Sequence, residues 1–524
     1  MSVVDEGGEL RLAELVAALS LAVDLGLGQP MEHLLRSCRI ALRLAEEIGL
    51  DEQERAVVYY VALLGWVGCH ADAHEQARWF GDDIALKADR FPVDMVGAAR
   101  AGFVLRHLGG DGGVAHRARL LGALVGSGRE LAEAFESTHC RIAGGVAVGL
   151  GLGDRVAHAL LQVFERWDGK GTPSGLQGER IAIASRLVAL ALIVEFCRRL
   201  GGPEAAVEAA VRRRGTQFDP GLVDRLRAGA PRLLAGLDAT TSWDEVIGAE
   251  PALRPTLSGP EVDGALEAIS DLVDLKSPFM TGHSRGVAEL ASGAARRSGF
   301  SEPHVRELRR AGLVHDLGRL GVSNAIWEKP ETLSPAELER VRMHPYYTLR
   351  MFSHAPALAG VAELAAQHAE RLDGSGYPRG LAAGSLSPSA RFLAAADVYR
   401  ALSEPRAHRP VYEAGRTAEL LEAQVRAGRL DGEAVQAVLG AAGQPVSRRR
   451  EWPAGLTARE VEVLSLLSCG SSNKQIAARL CISAKTAGNH IEHIYMKIGA
   501  SSRAEASLYA MRQGLVGQPV ADRR

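Results

Sequence analysis

The chain runs to 524 residues, 47% of them hydrophobic and 24% charged, with a formal net charge of -2. That length and apolar content suffice for several buried cores, which excludes a disordered or fibrous chain and leaves room for roughly three or four domains. The chain is rich in Ala, Leu, Gly and Arg while aromatics reach only 5%, and because Ala, Leu, Arg and Glu are the cheap helix residues an all-α body is expected.

The net charge conceals an asymmetry. From Ser447 onward there are 12 Lys or Arg against 6 Asp or Glu, a net of +6, so the preceding residues sum to -8. A small basic segment on an acidic body points to an anionic partner, nucleic acid first. Six cysteines (Cys38, Cys69, Cys140, Cys197, Cys469, Cys481) lie far apart with no CxxC spacing, as expected of reduced, mostly buried thiols. The first residues carry no basic stretch followed by an apolar one, so no export signal is read. The longest apolar run, Leu187 to Val194, falls far short of the ~20 residues that span a bilayer. A cytoplasmic protein with no membrane partner is the expectation.

Residues 1–230 form the first of two related halves, because the chain repeats itself. The stretch Glu165-Arg-Trp-Asp-Gly-Lys-Gly-Thr-Pro-Ser-Gly-Leu176 matches Glu370-Arg-Leu-Asp-Gly-Ser-Gly-Tyr-Pro-Arg-Gly-Leu381 at eight of twelve positions, with an offset of 205. Arg186 and His139 match Arg391 and His344 at the same offset. Nearer the start the offset is 250, where His33, Gly49 and Leu63 match His283, Gly299 and Leu313. The first half therefore carries about 45 extra residues between His70 and Ala134. A proline-bearing linker with a short helix is expected over 231–262, and the second half over 263–440.

The second half gathers metal-type ligands. His283, the adjacent pair His315-Asp316, His344, His368 and Asp397 offer the imidazole and carboxylate donors that water-activating cations favour. His315-Asp316 closes a helix-like apolar run, and neighbours on a helix project ~100° apart, so both can touch one ion or bridge two. Arg319 follows four residues after His315 on the same face and suits a phosphate oxygen.

These motifs, with Thr281-Gly-His283, Lys329-Pro330, Met343-His-Pro345, Asp373-Gly-Ser-Gly-Tyr-Pro378 and His408-Arg-Pro410, make residues 265–440 resemble an HD-GYP domain of the HD metallophosphohydrolases. The resemblance implies a helical fold and hydrolysis of cyclic di-GMP with Fe- or Mn-type ions. It gives Asp316 and Arg319 catalytic roles, and makes His283, His315, Asp316, His344, His368 and Asp397 the metal ligands. Gly376, Tyr377 and Pro378, with Arg319, would bind substrate. The sequence departs from the family at Ala369 and Arg319, where a second histidine and a lysine are usual, at Phe279, where some members have a glutamate, and at Arg400, where an acid is often found. One or two ions are expected, and a third is not.

The first half keeps the scaffold without the chemistry. Gly65-Trp66 stands at the HD pair, Val163 and Leu192 at the positions of His368 and Asp397, and Thr172 at that of Tyr377. Only His33 and His139 persist, so a packing partner or ligand-sensing module is expected. His70-Ala-Asp72-Ala-His74 reads as a polar loop, with a metal site as the alternative.

After a second linker at 441–453, Gly, Pro and arginine-rich, residues 454–518 read as four helices. Thr457 with Glu460 and Ser472 with Gln475 form capping boxes. Ala487, Ile491, Ile494 and Ile498 recur at helical spacing as one buried stripe. The stretches Leu456-Thr-Ala-Arg-Glu-Val-Glu-Val-Leu464, Asn473-Lys-Gln-Ile-Ala477 and Ile482-Ser-Ala-Lys-Thr486 resemble the LuxR-type (GerE-like) helix-turn-helix domain. That resemblance assigns DNA contacts to Lys474, Lys485, Thr486, His490 and Lys497, with Asn489 set to read a base. Gly488 and Glu492 replace residues that are often basic.

The whole chain is thus expected to be a DNA-binding transcriptional regulator, controlled by an HD-GYP-like body that takes a cyclic dinucleotide or another phosphorylated ligand. The alternative is a metal-dependent cyclic di-GMP phosphodiesterase whose DNA-binding domain is secondary. Double-stranded DNA and a second copy in a homodimer are the expected partners.

Overall fold

The computed structural model describes residues 10–110, 112–237, 242–251, 256–443, 452–480 and 482–516. Cys481 and most of the 441–453 linker lie outside them. The all-α expectation holds: among the described residues the only strands form a two-residue antiparallel ribbon, Leu10–Arg11 against Thr256–Leu257, besides isolated bridges. The chain divides into two compact units.

The first unit is built on Leu12–Gly26, His33–Glu47, Glu52–Leu64, Gly153–Leu160, Ile183–Arg212 and Pro220–Leu233. His33–Glu47 is buried on most of its circumference, with only Arg36, Arg43, Glu46 and Glu47 outside the buried set, as befits a central helix of the core. Asp51 accepts from Glu54 N at 2.8 Å and caps Glu52–Leu64. The extra segment forms the helices Ala73–Phe80, Asp83–Arg90 and Gly97–His107 and the early part of the long helix Val114–Gly149.

Gly259–Asp274, which belongs to the second unit from Leu266 onward, leads into His283–Arg297, Glu302–Val314, His344–Phe352, Ala359–Ala365, Pro388–Ser403, Ala414–Arg426 and Gly432–Ala442. His283–Arg297 and Glu302–Val314 begin 250 residues after His33–Glu47 and Glu52–Leu64, so the repeat is structural. The alanine-rich composition has its consequence here. A Cβ on Gly312 would lie 2.7 Å from Ala288 Cα, so small residues let two helices cross closely. That crossing brings His283 beside His315.

Residues 452–516 add the four expected helices, Ala458–Ser468, Asn473–Leu480, Ala484–Ile498 and Arg503–Arg512. Both capping boxes form: Glu460 N bonds Thr457 Oγ1 at 3.2 Å and Ser472 N bonds Gln475 Oε1 at 2.8 Å. Ala487, Ile491 and Ile494 are buried, with Ile498 packed at the margin of the same core. Among the described residues no single helix is long and apolar enough to cross a membrane.

Candidate metal centre and nucleic-acid interface

The HD pair sits where the helix Glu302–Val314 ends and a short 3-10 turn, Leu317–Gly321, begins. Gly318 is fixed by contact: a Cβ there would lie 1.9 Å from His344 O. Gly68 stands in the same relation to His139 O in the first half. Only glycine lets the two backbones meet, and their meeting sets His344 against Asp316.

Two trios of ligand atoms result, His283, His315 and Asp397 in one and Asp316, His344 and His368 in the other. Asp316 straddles them. Its Oδ2 lies 3.6 Å from His315 Nε2 and 3.9 Å from His283 Nε2, while its Oδ1 lies 3.4 Å from His344 Nε2 and 3.8 Å from His368 Nε2. Asp397 Oδ1 lies 3.3 Å from His283 Nε2 and 3.8 Å from His315 Nε2. All six ligand residues of the sequence reading are therefore brought together.

The rings are oriented from behind. His315, His344 and His368 each place Nδ1 against the carbonyl three residues earlier, of Gly312, Val341 and Ala365, at 2.8, 2.6 and 2.8 Å. His283 Nδ1 donates to Glu404 Oε2 at 2.7 Å. Each Nε2 thus faces the centre as an acceptor, the arrangement that holds metal-ligating histidines. His315 Nε2 is buried without a hydrogen-bond partner. An orphaned imidazole nitrogen facing two carboxylates fits a divalent cation and would be costly otherwise.

Electrostatics agree for His368, Asp316 and Asp397, whereas at His283 the carboxylates Glu404 and Asp397 outweigh burial and raise the pKa to about 9. Burial and the neighbouring imidazoles push His368 down to about 3, leaving it neutral and ready to coordinate. Burial opposes ionisation of Asp316, yet His315 and Arg319 hold it well below the usual carboxylate range. Burial also opposes charge on Asp397, and His283 and His368 outweigh it.

A cleft of about 310 Å³ opens over these ligands. Arg319 lines it, its guanidinium 3.6 Å from the Trp327 ring centre and 3.3 Å from Asp316 Oδ2. Tyr377 lines it as well, 6.0 Å from the His344 ring. Gly376 instead packs against backbone, where a Cβ would lie 2.4 Å from Glu370 Cα. Neither Gly376 nor Pro378 is among the residues lining the cleft. Sequence reasoning missed Glu404, Trp327 and Arg406, the last of which lines the cleft and bonds Glu404 at 3.3 Å.

In the C-terminal domain Lys474, Lys485, Thr486 and Asn489 are exposed, and His490 is half-buried. Lys497 bonds Glu460 Oε2 at 2.7 Å and Gly455 O at 3.1 Å, which ties it to the first helix of its own domain. The same domain touches the turn that carries His283. Thr281 Oγ1 donates to Ser468 O at 2.8 Å, and a Cβ on Gly470 would meet Pro278 at 3.0 Å.

In the first half His139 Nε2 lies 2.7 Å from Asp72 Oδ2, so Asp72 is not in an open polar loop. Glu195 and Arg36 serve His33 there: His33 Nδ1 and Arg36 Nε both bond the Glu195 carboxylate.

Comparison with known proteins follows the same division. The HD domain family matches residues 133–222 and 267–434, and the luxR family of bacterial regulatory proteins matches residues 454–510. A 3'3'-cGAMP-specific phosphodiesterase 3 of Vibrio cholerae is 31% identical over 415 residues, 78% of this chain and 90% of that protein. A cyclic di-GMP phosphodiesterase of Thermotoga maritima is 34% identical over 165 residues, 30% of this chain and 45% of its own length. The crystal structure of a cyclic GMP-AMP specific phosphodiesterase of V. cholerae superposes with a TM-score of 0.58 at 27% identity, covering 84% of this chain and 99% of that one.

Proposed function

The chain belongs to the HD-GYP family, as HD-type halves in tandem fused to a LuxR-family helix-turn-helix domain, and from that premise we propose a DNA-binding regulator governed by what its second half binds. The observation that carries this reading is the hydrogen bond from Thr281 Oγ1 to Ser468 O. Thr281 stands two residues before His283, so a ligand that shifts the Pro278–His283 turn also shifts the surface on which the DNA-binding domain rests. Lys474, Lys485, Thr486, Asn489 and His490 are the DNA contacts in this reading, with Asn489 on a base edge. Lys497 would reach phosphate only by leaving Glu460. Domains of this type act on paired half-sites, so the working form is a homodimer in the cytoplasm.

The controlling ligand is a cyclic dinucleotide or a related phosphorylated molecule, the class for which the relatives are named. His283, His315, Asp316, His344, His368 and Asp397 would hold the metal, one or two ions of Fe or Mn type as a His-carboxylate set favours. A divalent ion bound there supplies Lewis acidity toward phosphoryl oxygens. Arg319, kept in place by Trp327 and Asp316, takes a phosphate oxygen, and Tyr377 closes the cleft wall above His344. Gly376 and Pro378 act by shaping the loop that presents Tyr377.

A second reading, that the chain turns the ligand over as a phosphodiesterase, is favoured by the four anchored imidazoles converging on Asp316 and Asp397. Asp316 and Arg319 would be its catalytic residues. The two readings separate in one experiment on the full chain. Affinity is measured for DNA selected from a random pool, with and without cyclic di-GMP or 3'3'-cGAMP, alongside ligand turnover. Regulation predicts a shift of about fivefold or more that is lost in His315→Ala. Turnover with unchanged DNA affinity would leave only the second reading.

A further inference from the structure

The first half has lost four of the six metal-ligand positions and kept a cavity in their place. About 160 Å³ lies between Val163 and Leu192, which replace a histidine and an aspartate of the second half, and the inserted helices that follow His70. Its walls combine two chemistries. Trp66, Phe91 and Phe164 provide aromatic surface, and Arg90, Arg100, Arg166 and Arg213 provide charge.

These arginines differ in how they are compensated. Arg166 is ion-paired with Asp94 at 2.6 Å and Asp168 at 3.2 Å. Arg213 is 9% exposed, and its guanidinium bonds only the neutral oxygens Gln217 Oε1, at 3.0 Å, and Pro92 O, at 2.9 Å. Asp94, already ion-paired with Arg166, offsets the burial of Arg213 only in part, and an anion entering the cavity would relieve the remaining cost. Burial pulls its pKa below the ordinary arginine value despite the opposing pull of Asp94. Glu165, the carboxylate in the wall, is occupied by Ser174 N and Leu176 N at 2.7 and 2.9 Å and holds the loop rather than the cavity.

Guanidinium groups bind phosphate oxygens in bidentate fashion, and aromatic faces stack on bases. Arg90 and Arg100 come from the segment that the second half lacks, so the insertion supplies charge where the metal ligands have gone. We propose that the first half is a binding site for a nucleoside monophosphate, held through its phosphate by Arg213 and Arg100 and through its base by Trp66, Phe91 or Phe164. The cavity is about half the 310 Å³ of the cleft in the second half, which favours one base and one phosphate over a cyclic dinucleotide. Among the described residues no metal-ligand cluster lies in the first half, so the site is proposed to bind without cleaving.

The test is isothermal titration calorimetry on the full chain, with GMP, AMP, guanosine and inorganic phosphate as probes. GMP or AMP should fill a site that guanosine and phosphate each fill about tenfold more weakly or worse, since each lacks half of the contacts. Arg213→Gln should weaken that site by about tenfold or more. Arg100→Gln, at a half-exposed position, should do the same. Absence of binding at millimolar GMP would overturn the proposal. So would binding untouched by both variants, or tighter binding of cyclic di-GMP than of GMP at the site they affect.

Discussion

Glu404 Oε2 accepts from His283 Nδ1 at 2.7 Å, and Glu195 does the same for His33 in the first half. At the offset of 205 the counterpart of Glu195 is Arg400, not Glu404. The acid has moved one helical turn along, and Arg400 now pairs with it at 2.7 Å. The apparent loss of an acid at position 400 is therefore compensated. A carboxylate behind a ligating histidine fixes its ring and raises its basicity. Glu404→Ala should weaken metal affinity about 10- to 100-fold while leaving all six ligands in place. Competition titration against a chelating dye measures it, and an unchanged affinity would remove Glu404 from the centre.

The Thr281–Ser468 hydrogen bond should be worth about 0.5–1.5 kcal/mol of docking between the DNA-binding domain and the His283 turn. Thr281→Val should speed amide exchange across Ala458–Ser468 and blunt the response of DNA affinity to ligand. Exchange identical to the wild type would show that the contact transmits nothing.

Glu195 supplies a pH dependence to the first half. Burial opposes its charge, but hydrogen bonds from His33 and Arg36 outweigh burial and hold its pKa below the ordinary value near 4.5. A carboxylate with a lowered folded pKa stabilises fully above its unfolded value, and the stabilisation fades as pH falls through the folded one. Glu195→Gln should cost stability at pH 7, and that cost should shrink progressively below about pH 4.5. Opening free energies for the helix His33–Glu47, from hydrogen exchange corrected for intrinsic rates, give the comparison. A cost independent of pH would contradict it.

DNA contacts divide by what they read. Asn489→Ala should cost about 1–3 kcal/mol and relax preference at one base position. Lys485→Ala should weaken all sequences alike and reduce the salt slope by about 1. Binding over a salt series to a selected site and its single-base variants separates the two.

Much of this was legible in the chain. Ordered motifs located the six candidate ligands because five of them lie at helix ends or turns whose sequence is itself distinctive, such as His315-Asp316-Leu-Gly318, while Asp397 lies within the helix Pro388–Ser403. The repeat was legible because Glu165 and Glu370 each pin the same loop through two backbone amides, which preserves the surrounding residues. Glu404 was not, since a helix offers two positions one turn apart and only three-dimensional packing decides which one meets His283. Lys497 looked like a DNA contact by its place on the helix, and its bond to Glu460 depends on a partner 37 residues away. The Arg213 cavity escaped notice because the insertion has no counterpart in the second half against which to read it.

The central claim is that the second half holds a divalent metal at a constellation straddled by Asp316. The direct measurement is metal content per chain after anaerobic reconstitution with Fe or Mn, for the wild type beside Asp316→Ala. The expected result is roughly one to two ions in the wild type, with most of that content lost in the variant. A wild type that retains no metal, or a variant that retains as much as the wild type, would contradict the claim.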